Sequence, residues 1–384
     1  MTFELAVPTE IVFGPGVLSQ IGKRAAAFGQ RAFLVTGSGS LARRGVVARV
    51  ESMLGDHGVA SKRWPVQGEP DTETVDHAVG QARAASCDLV IGLGGGSALD
   101  TAKAVACLLA NGGACLDYLE VVGRGQPIEK PSLPFLAVPS TGGTGSETTR
   151  NAVLSHRPSR TKASLRSPHM MARLALVDPE LSLSVPPAVT AATGLDALTQ
   201  LIEPYTSRRA QPLVDALALD ALRRAAPALP RAFEAPNDLA ARSEMMLASL
   251  VSGMALAHAG LGAAHGFSGP LGGSFPVPHG FACAAVLPYV METNLRVATE
   301  TGAIDTVRRY TDVAQALGGE GAKDGVERMR SLCKQMGVPG LATFGMTGSD
   351  VPDIAARSRL TSSMKANPVD LSDRDLEEIL VRAL

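Results

Sequence analysis

The residues best able to do chemistry begin with two glycine loops. Gly94-Gly95-Gly96-Ser97 follows the apolar run Asp88–Leu93 and precedes a helix-like run, Ala98-Leu99-Asp100-Thr101-Ala102-Lys103. Three glycines let the backbone approach a ligand closely and take positive φ. A helix that starts there offers unpaired N–H groups and the positive end of its dipole, and both suit a pyrophosphate. A bare strand-to-helix turn would look similar, and the run is not a G-x-G-x-x-G fingerprint. The second loop, Pro139-Ser140-Thr141-Gly142-Gly143-Thr144-Gly145-Ser146-Glu147, follows another apolar run. In open α/β sheets ligands bind beyond the carboxyl ends of the parallel strands, so two such loops would face one crevice. Their hydroxyls and amides can hold ribose and phosphate without using charge.

The elements that must position these loops alternate. Residues 31–36, 88–93, 135–139 and 174–177 read as buried strands, and 72–85 and 98–110 as helices between them. Continuous apolar strands separated by helices indicate a parallel sheet covered on both faces. After Pro186-Pro187 the character changes to long Ala- and Leu-rich segments with helical spacing, such as 188–205, 212–226, 238–257 and 306–317. The expected organisation is an α/β dinucleotide-binding domain over 1–185 and an all-helical domain over 186–384.

The bulk properties exclude several classes. With 384 residues, 45% hydrophobic and 19% charged, the chain can bury two sizeable cores. Its net charge of −1 provides no basic field for nucleic acid or an anionic membrane. Five cysteines at 87, 107, 115, 283 and 333 form no CxxC pair, which reads as inert thiols in a reducing compartment. No signal-peptide pattern and no apolar span of about 20 residues are present. The expectation is a soluble cytoplasmic protein with no nucleic-acid or membrane partner.

The run Gly94–Lys103 resembles the GGGSxxDxAK signature of the iron-containing (group III) alcohol dehydrogenases, and Pro139–Glu147 is similar to their second glycine loop. Ile11–Gly16, Thr193–Thr199, Gly260–His265 and Pro278-His279-Gly280 also look like family motifs, in family order, with a weaker match at Asn367-Pro368. The resemblance implies a Rossmann-like N-terminal domain and a helical C-terminal domain, the architecture shared with dehydroquinate synthases. It implies NAD(P)-dependent interconversion of an alcohol and an aldehyde or ketone, a divalent metal between the domains, and a homodimer. It marks Gly37, Gly94, Gly95, Gly96, Ser97, Asp100, Ser140, Thr141, Thr144, Ser146, Lys162 and Leu181 for the cofactor. Lys162 could equally be a loop lysine in solvent.

The resemblance places four metal ligands on Asp196, Gln200, His265 and His279, with Asp196, His265 and His279 as the catalytic residues. Asp196 and Gln200 lie four apart on an expected helix and so share a face. The family usually has His at position 200, and an amide oxygen is a weaker ligand for iron or zinc. The set suggests Fe²⁺ or Zn²⁺ by family, with Mn²⁺ or Mg²⁺ as harder alternatives. A further family histidine is replaced by Gly269. His258, seven residues before His265, is a candidate for the same face, whereas His57, His77, His156 and His169 read as surface residues. A bound cation would lower the alcohol pKa so that hydride can leave to nicotinamide. Alternatives are a metal-independent reductase of the maleylacetate type, using an imidazole as acid and Arg150 or Arg166 for a carboxylate, a dehydroquinate synthase-like lyase, and a cofactor-binding protein with a decayed site. After Thr36 the sequence runs Gly37-Ser38-Gly39-Ser40 with Arg43 and Arg44 nearby. No carboxylate there repels a 2′-phosphate, which favours NADP or dual use.

Overall fold

A computed structural model describes residues 2–37 and 39–384; Ser38, in the stretch read for cofactor preference, lies outside them. The chain divides into two compact units. One comprises residues 6–141 and 145–185, and the other residues 2–5, 142–144 and 186–384.

The first unit is built on six parallel strands, β1 (Glu10–Phe13), β2 (Arg31–Thr36), β3 (Ala60–Pro65), β4 (Leu89–Gly94), β5 (Phe135–Pro139) and β8 (Leu174–Val177). Their spatial order is β1-β8-β5-β4-β2-β3. An antiparallel pair, β6 (Asn151–His156) and β7 (Thr161–Arg166), stands apart. Strand periodicity of two sends alternate residues to opposite faces. Phe33, Val35, Val90 and Phe135 pack under the helices Thr72–Ala84 and Gly96–Asn111. Ala32, Leu34, Ile91 and Leu136 pack under Ile21–Ala26 and Val46–Gly55. Successive strands β2 and β3 lie on one side and β4, β5 and β8 on the other, so the order reverses between β2 and β4. Doubly wound sheets bind ligands at that switch point. The loops at the carboxyl ends of β2 and β4 are those carrying Gly37 and Gly94–Ser97.

The second unit is helical. Pro187–Thr206, Pro212–Glu234, Leu239–Ala259, Ala263–Ser274 and His279–Glu300 share one core with the later helices Ile304–Ala316, Ala322–Gln335, Val351–Arg359 and Asp373–Ala383. Pro187–Thr206 is buried at nearly every position from Thr190 onward. Among the described residues no single helix is long and apolar enough to cross a membrane.

The helix Pro212–Glu234 runs eight residues beyond its expected end at 226, through Pro227 and Pro230. A proline removes a backbone donor and usually stops a helix. Here Ala225, Ala228, Leu229 and Ala232 lie in the core, and their burial outweighs the lost hydrogen bonds.

Candidate functional site

In the first unit the glycine loop is tighter than a free loop. Gly94 is the last residue of β4, Gly95 the N-cap, and Gly96 the first residue of a 16-residue helix with no side-chain cap. Its first N–H groups are therefore left to a ligand or solvent. Gly94 has φ +156°, and a Cβ there would meet Ala98 Cβ at 2.8 Å and Gly37 N at 3.0 Å. The Ser140 amide donates to Gly94 O at 2.9 Å, and the Gly37 amide to Leu93 O at 3.2 Å. The ends of β2, β4 and β5 thus form one rim, with Thr141 Oγ1 facing Gly95.

Other residues marked for cofactor occupy different settings. Asp100 Oδ1 accepts from Ser146 Oγ at 2.6 Å and Oδ2 from the Val153 amide at 3.0 Å, so both acceptors are used within the protein. Lys103, fully buried, donates to Ser146 O, Ser146 Oγ, Thr149 Oγ1 and Asn151 O at 2.7–3.0 Å. Burial pulls Lys103 down to about 8 against the raising charges of Asp100 and Glu147, and burial likewise pushes Asp100 up. This network fastens the second glycine loop and the β6–β7 hairpin to the helix of the first. Leu181 lies in the apolar core. Lys162 is not in a loop: it sits on β7, its ammonium 3.3 Å from Glu69 Oε2. Thr144 belongs to the helical unit with Gly142 and Gly143.

Glu147 is also buried, and burial pushes it up from 4.5 to about 7 against the Lys103 charge and a backbone hydrogen bond. Between those values the folded protein keeps a proton that the unfolded chain has released. Its contribution is therefore full below pH 4.5 and is lost as pH rises through 7, roughly 3 kcal/mol in all. Glu147→Gln is expected to flatten this part of the stability profile in urea melts from pH 4.5 to 8. An unchanged slope would assign the effect elsewhere.

In the helical unit the sequence-selected residues converge. Asp196, Gln200 and Glu203 lie at i, i+4 and i+7 on Pro187–Thr206 and so share a face. His265 sits in the first turn of Ala263–Ser274, and His279 opens His279–Glu300. Gly280 lets that helix approach closely, because a Cβ there would lie 1.9 Å from Ala192 O. His265 Nε2 lies 3.3 Å and His279 Nε2 3.7 Å from Asp196 Oδ1, and the imidazole centroids are 5.5 Å apart. Gln200 Nε2 donates to Asp196 Oδ2 at 3.2 Å.

Sequence reasoning missed two members. Glu203 Oε1 accepts from the Ala264 amide at 2.7 Å, capping the helix, while Oε2 lies 2.5 Å from His265 Nδ1. One carboxylate thus sets the start of the helix and the ring orientation, with Nε2 turned toward Asp196. The second is Cys283, buried four residues after His279, its Sγ 3.9 Å from His279 Nε2. It was read as an inert thiol, but its i+4 spacing from His279 matches that of Asp196 and Gln200. His258 is outside this group, with Nδ1 bound to Met254 O at 2.8 Å. Asn367, buried, accepts from the Ala263 amide and exchanges hydrogen bonds with Asn294, so the weak C-terminal motif anchors the helix that carries His265.

Charge in the cluster is mutually supported. Burial alone would raise Asp196, but His279, His265 and Gln200 hold it below the usual carboxylate value. Burial opposes charge on both histidines, and Cys283 with the nearby carboxylates outweighs it and raises them. Burial also opposes the Cys283 thiolate, and the two imidazoles still lower it.

The comparisons agree with this geometry. The family model for iron-containing alcohol dehydrogenase matches residues 8–179, and that for the family's C-terminal domain matches 190–384. A long-chain-alcohol dehydrogenase of Geobacillus thermodenitrificans is 36% identical, over 96% of this chain and 95% of its own. An alcohol dehydrogenase from an archaeal halo-thermophile of a Red Sea brine pool superposes with TM-score 0.93 at 28% identity, covering 100% and 99% of the two chains. A 1,3-propanediol oxidoreductase superposes with TM-score 0.91 at 31% identity over 100% of both. With both of its halves matched in order, the chain belongs to the iron-containing alcohol dehydrogenase family, as an NAD(P)-dependent oxidoreductase of alcohols and their carbonyl partners.

Proposed function

We propose that Asp196, His265 and His279 hold a divalent cation at which an alcohol or carbonyl oxygen reacts, with Gln200 or Cys283 as the remaining donor. The observation that carries this reading is a set of orphaned acceptors. Asp196 Oδ1, Gln200 Oε1 and His265 Nε2 are buried without a hydrogen-bond partner. Asp196 Oδ1 and His265 Nε2 face each other at 3.3 Å, so a proton or a cation between them satisfies both, and Gln200 Oε1 needs an electropositive partner of its own. A bound cation would withdraw charge from the substrate oxygen and so ease loss of hydride to nicotinamide. The chain's own part is to orient. Glu203 fixes His265 and Gln200 steadies Asp196, all four of them buried, while His279 stays partly open to solvent.

The pyrophosphate of NAD(P) is assigned to the amides of Gly95–Ser97 and the Thr141 hydroxyl. The uncapped 16-residue helix supports this. NADP use is supported by exposed Arg43 and Arg44, just after the short helix start at Ser40, and by the lack of a carboxylate at Gly37. The expected result is a kcat/KM for NADP(H) at least equal to that for NAD(H). A large preference for NAD(H) would refute it. A homodimer is the assembly the family resemblance supports.

The deciding experiment is metal analysis of protein purified without added metal, followed by chelation and restoration. Activity on a panel of alcohols and aldehydes is expected to vanish on chelation and return with one equivalent of metal. Full activity in metal-free protein would point to the imidazole-acid mechanism instead.

A further inference from the structure

The assignment above leaves the fourth donor open, and one of the two candidates is a sulfur. The ligating atoms of Asp196, His265, His279 and Cys283 all lie within 4.8 Å of one another. Zinc bonds of about 2.0–2.3 Å in a tetrahedron put neighbouring donors roughly 3.3–3.6 Å apart. The separations lie at that spacing or up to 0.3 Å beyond it: 3.3 Å for His265 Nε2 to Asp196 Oδ1, 3.7 Å for His279 Nε2 to Asp196 Oδ1, and 3.9 Å for Cys283 Sγ to His279 Nε2. Gln200 uses its amide nitrogen on Asp196 Oδ2, and its free Oε1 is an amide oxygen, a weaker donor than sulfur for iron or zinc.

We propose that Cys283 is a metal ligand in this protein, completing a set with Asp196, His265 and His279, while Gln200 acts on Asp196 through its amide. The proposal rests on the metal-assisted reading and adds the identity of one donor. His279 and Cys283 lie four residues apart on one helix, so a single rigid element presents both. On binding, the thiol proton leaves to solvent as the sulfur–metal bond forms. A sulfur donor favours thiophilic ions such as Zn²⁺ and Co²⁺ over Mn²⁺ and Mg²⁺, and it is a stronger donor than the amide at position 200. The other cysteines lie elsewhere: Cys87, Cys107 and Cys115 in the sheet unit, and Cys333 against Ala284 O. A sulfur signal from the site therefore has one source.

The test uses Co²⁺ titrated into the metal-free, full-length protein and reads absorption. The wild type and Gln200→Ala are expected to show an intense near-ultraviolet thiolate-to-cobalt charge-transfer band as well as visible d–d bands. Cys283→Ser and Cys283→Ala are expected to lose the charge-transfer band, keep d–d bands, and bind Zn²⁺ at least about tenfold more weakly in chelator competition. Stoichiometric d–d bands without charge transfer in the wild type would overturn the cysteine assignment and leave the metal reading intact. Failure to take up cobalt at all would overturn both. Should neither cysteine variant fold, X-ray absorption of the zinc-loaded wild type decides. A sulfur shell at about 2.3 Å supports the proposal, and a shell of nitrogen and oxygen alone overturns it.

Discussion

Asp196→Ala is expected to lower kcat/KM for alcohol oxidation by about a thousandfold or more. Asp196 is the hub of the cluster, within 3.7 Å of both imidazoles and hydrogen-bonded to Gln200. It is also the charged donor, held ionised despite burial. Removing it takes away the anion that neutralises a bound cation and leaves two histidines with a weaker grip. Loss of electrophilic assistance worth several kcal/mol gives a factor on the order of 10³ at 1.4 kcal/mol per decade. Cofactor affinity should change little, because the glycine rim is built from the other unit. The measurement is kcat/KM with metal content and NAD(P)H fluorescence titration, and the isosteric Asp196→Asn controls for the cavity. Activity within tenfold of wild type in both variants would remove Asp196 from the chemistry.

The largest stability effect is expected at Lys103. Its three ammonium protons are shared among four acceptors while the group is fully buried, and its charge compensates the buried Asp100. Lys103→Met keeps most of the volume but strands Asp100 and two backbone carbonyls. Breaking a buried pair on one side costs about 3–5 kcal/mol. For a protein of this size that lowers Tm by roughly 4–6 °C. Asp100→Asn in the same chain should recover part of the loss, since the uncompensated carboxylate is then gone. Thermal and urea melts read both effects, and a loss under about 1 kcal/mol in Lys103→Met would show that the network is dispensable.

How far the sequence carried depended on how each element is buried. β2, β4, β5 and β8 are covered on both faces, so they read as continuous apolar runs. β3 is an edge strand with the polar sequence Ala-Ser-Lys-Arg-Trp-Pro, mostly exposed, and it offered no apolar run to find. The β6–β7 hairpin did carry a signal, since Ala152 and Leu154 face inward and alternate with Val153, and Ala163 and Leu165 alternate with Ser164. That alternation is short and was lost behind the glycine-rich stretch 139–145. In the site, Asp196, His265 and His279 were legible because their residue types already suggest ligands. Cys283 and Glu203 were not. A lone cysteine resembles any core thiol, and a helical glutamate resembles any surface acid until its partners, 61 and 62 residues further along the chain, are known.

The placement of residues 142–144 sets a limit on modularity. These three residues leave the sheet unit's sequence and are counted with the helices, where the Gly143 amide donates to Ser249 Oγ at 2.8 Å and a Cβ on Gly143 would strike Thr193 at 2.6 Å. A gene cut at residue 185 would therefore yield one half bearing a segment that has lost its partners and another half with an unfilled slot. The two halves cannot be traded between relatives as independent cassettes unless the tripeptide and its receiving surface travel together.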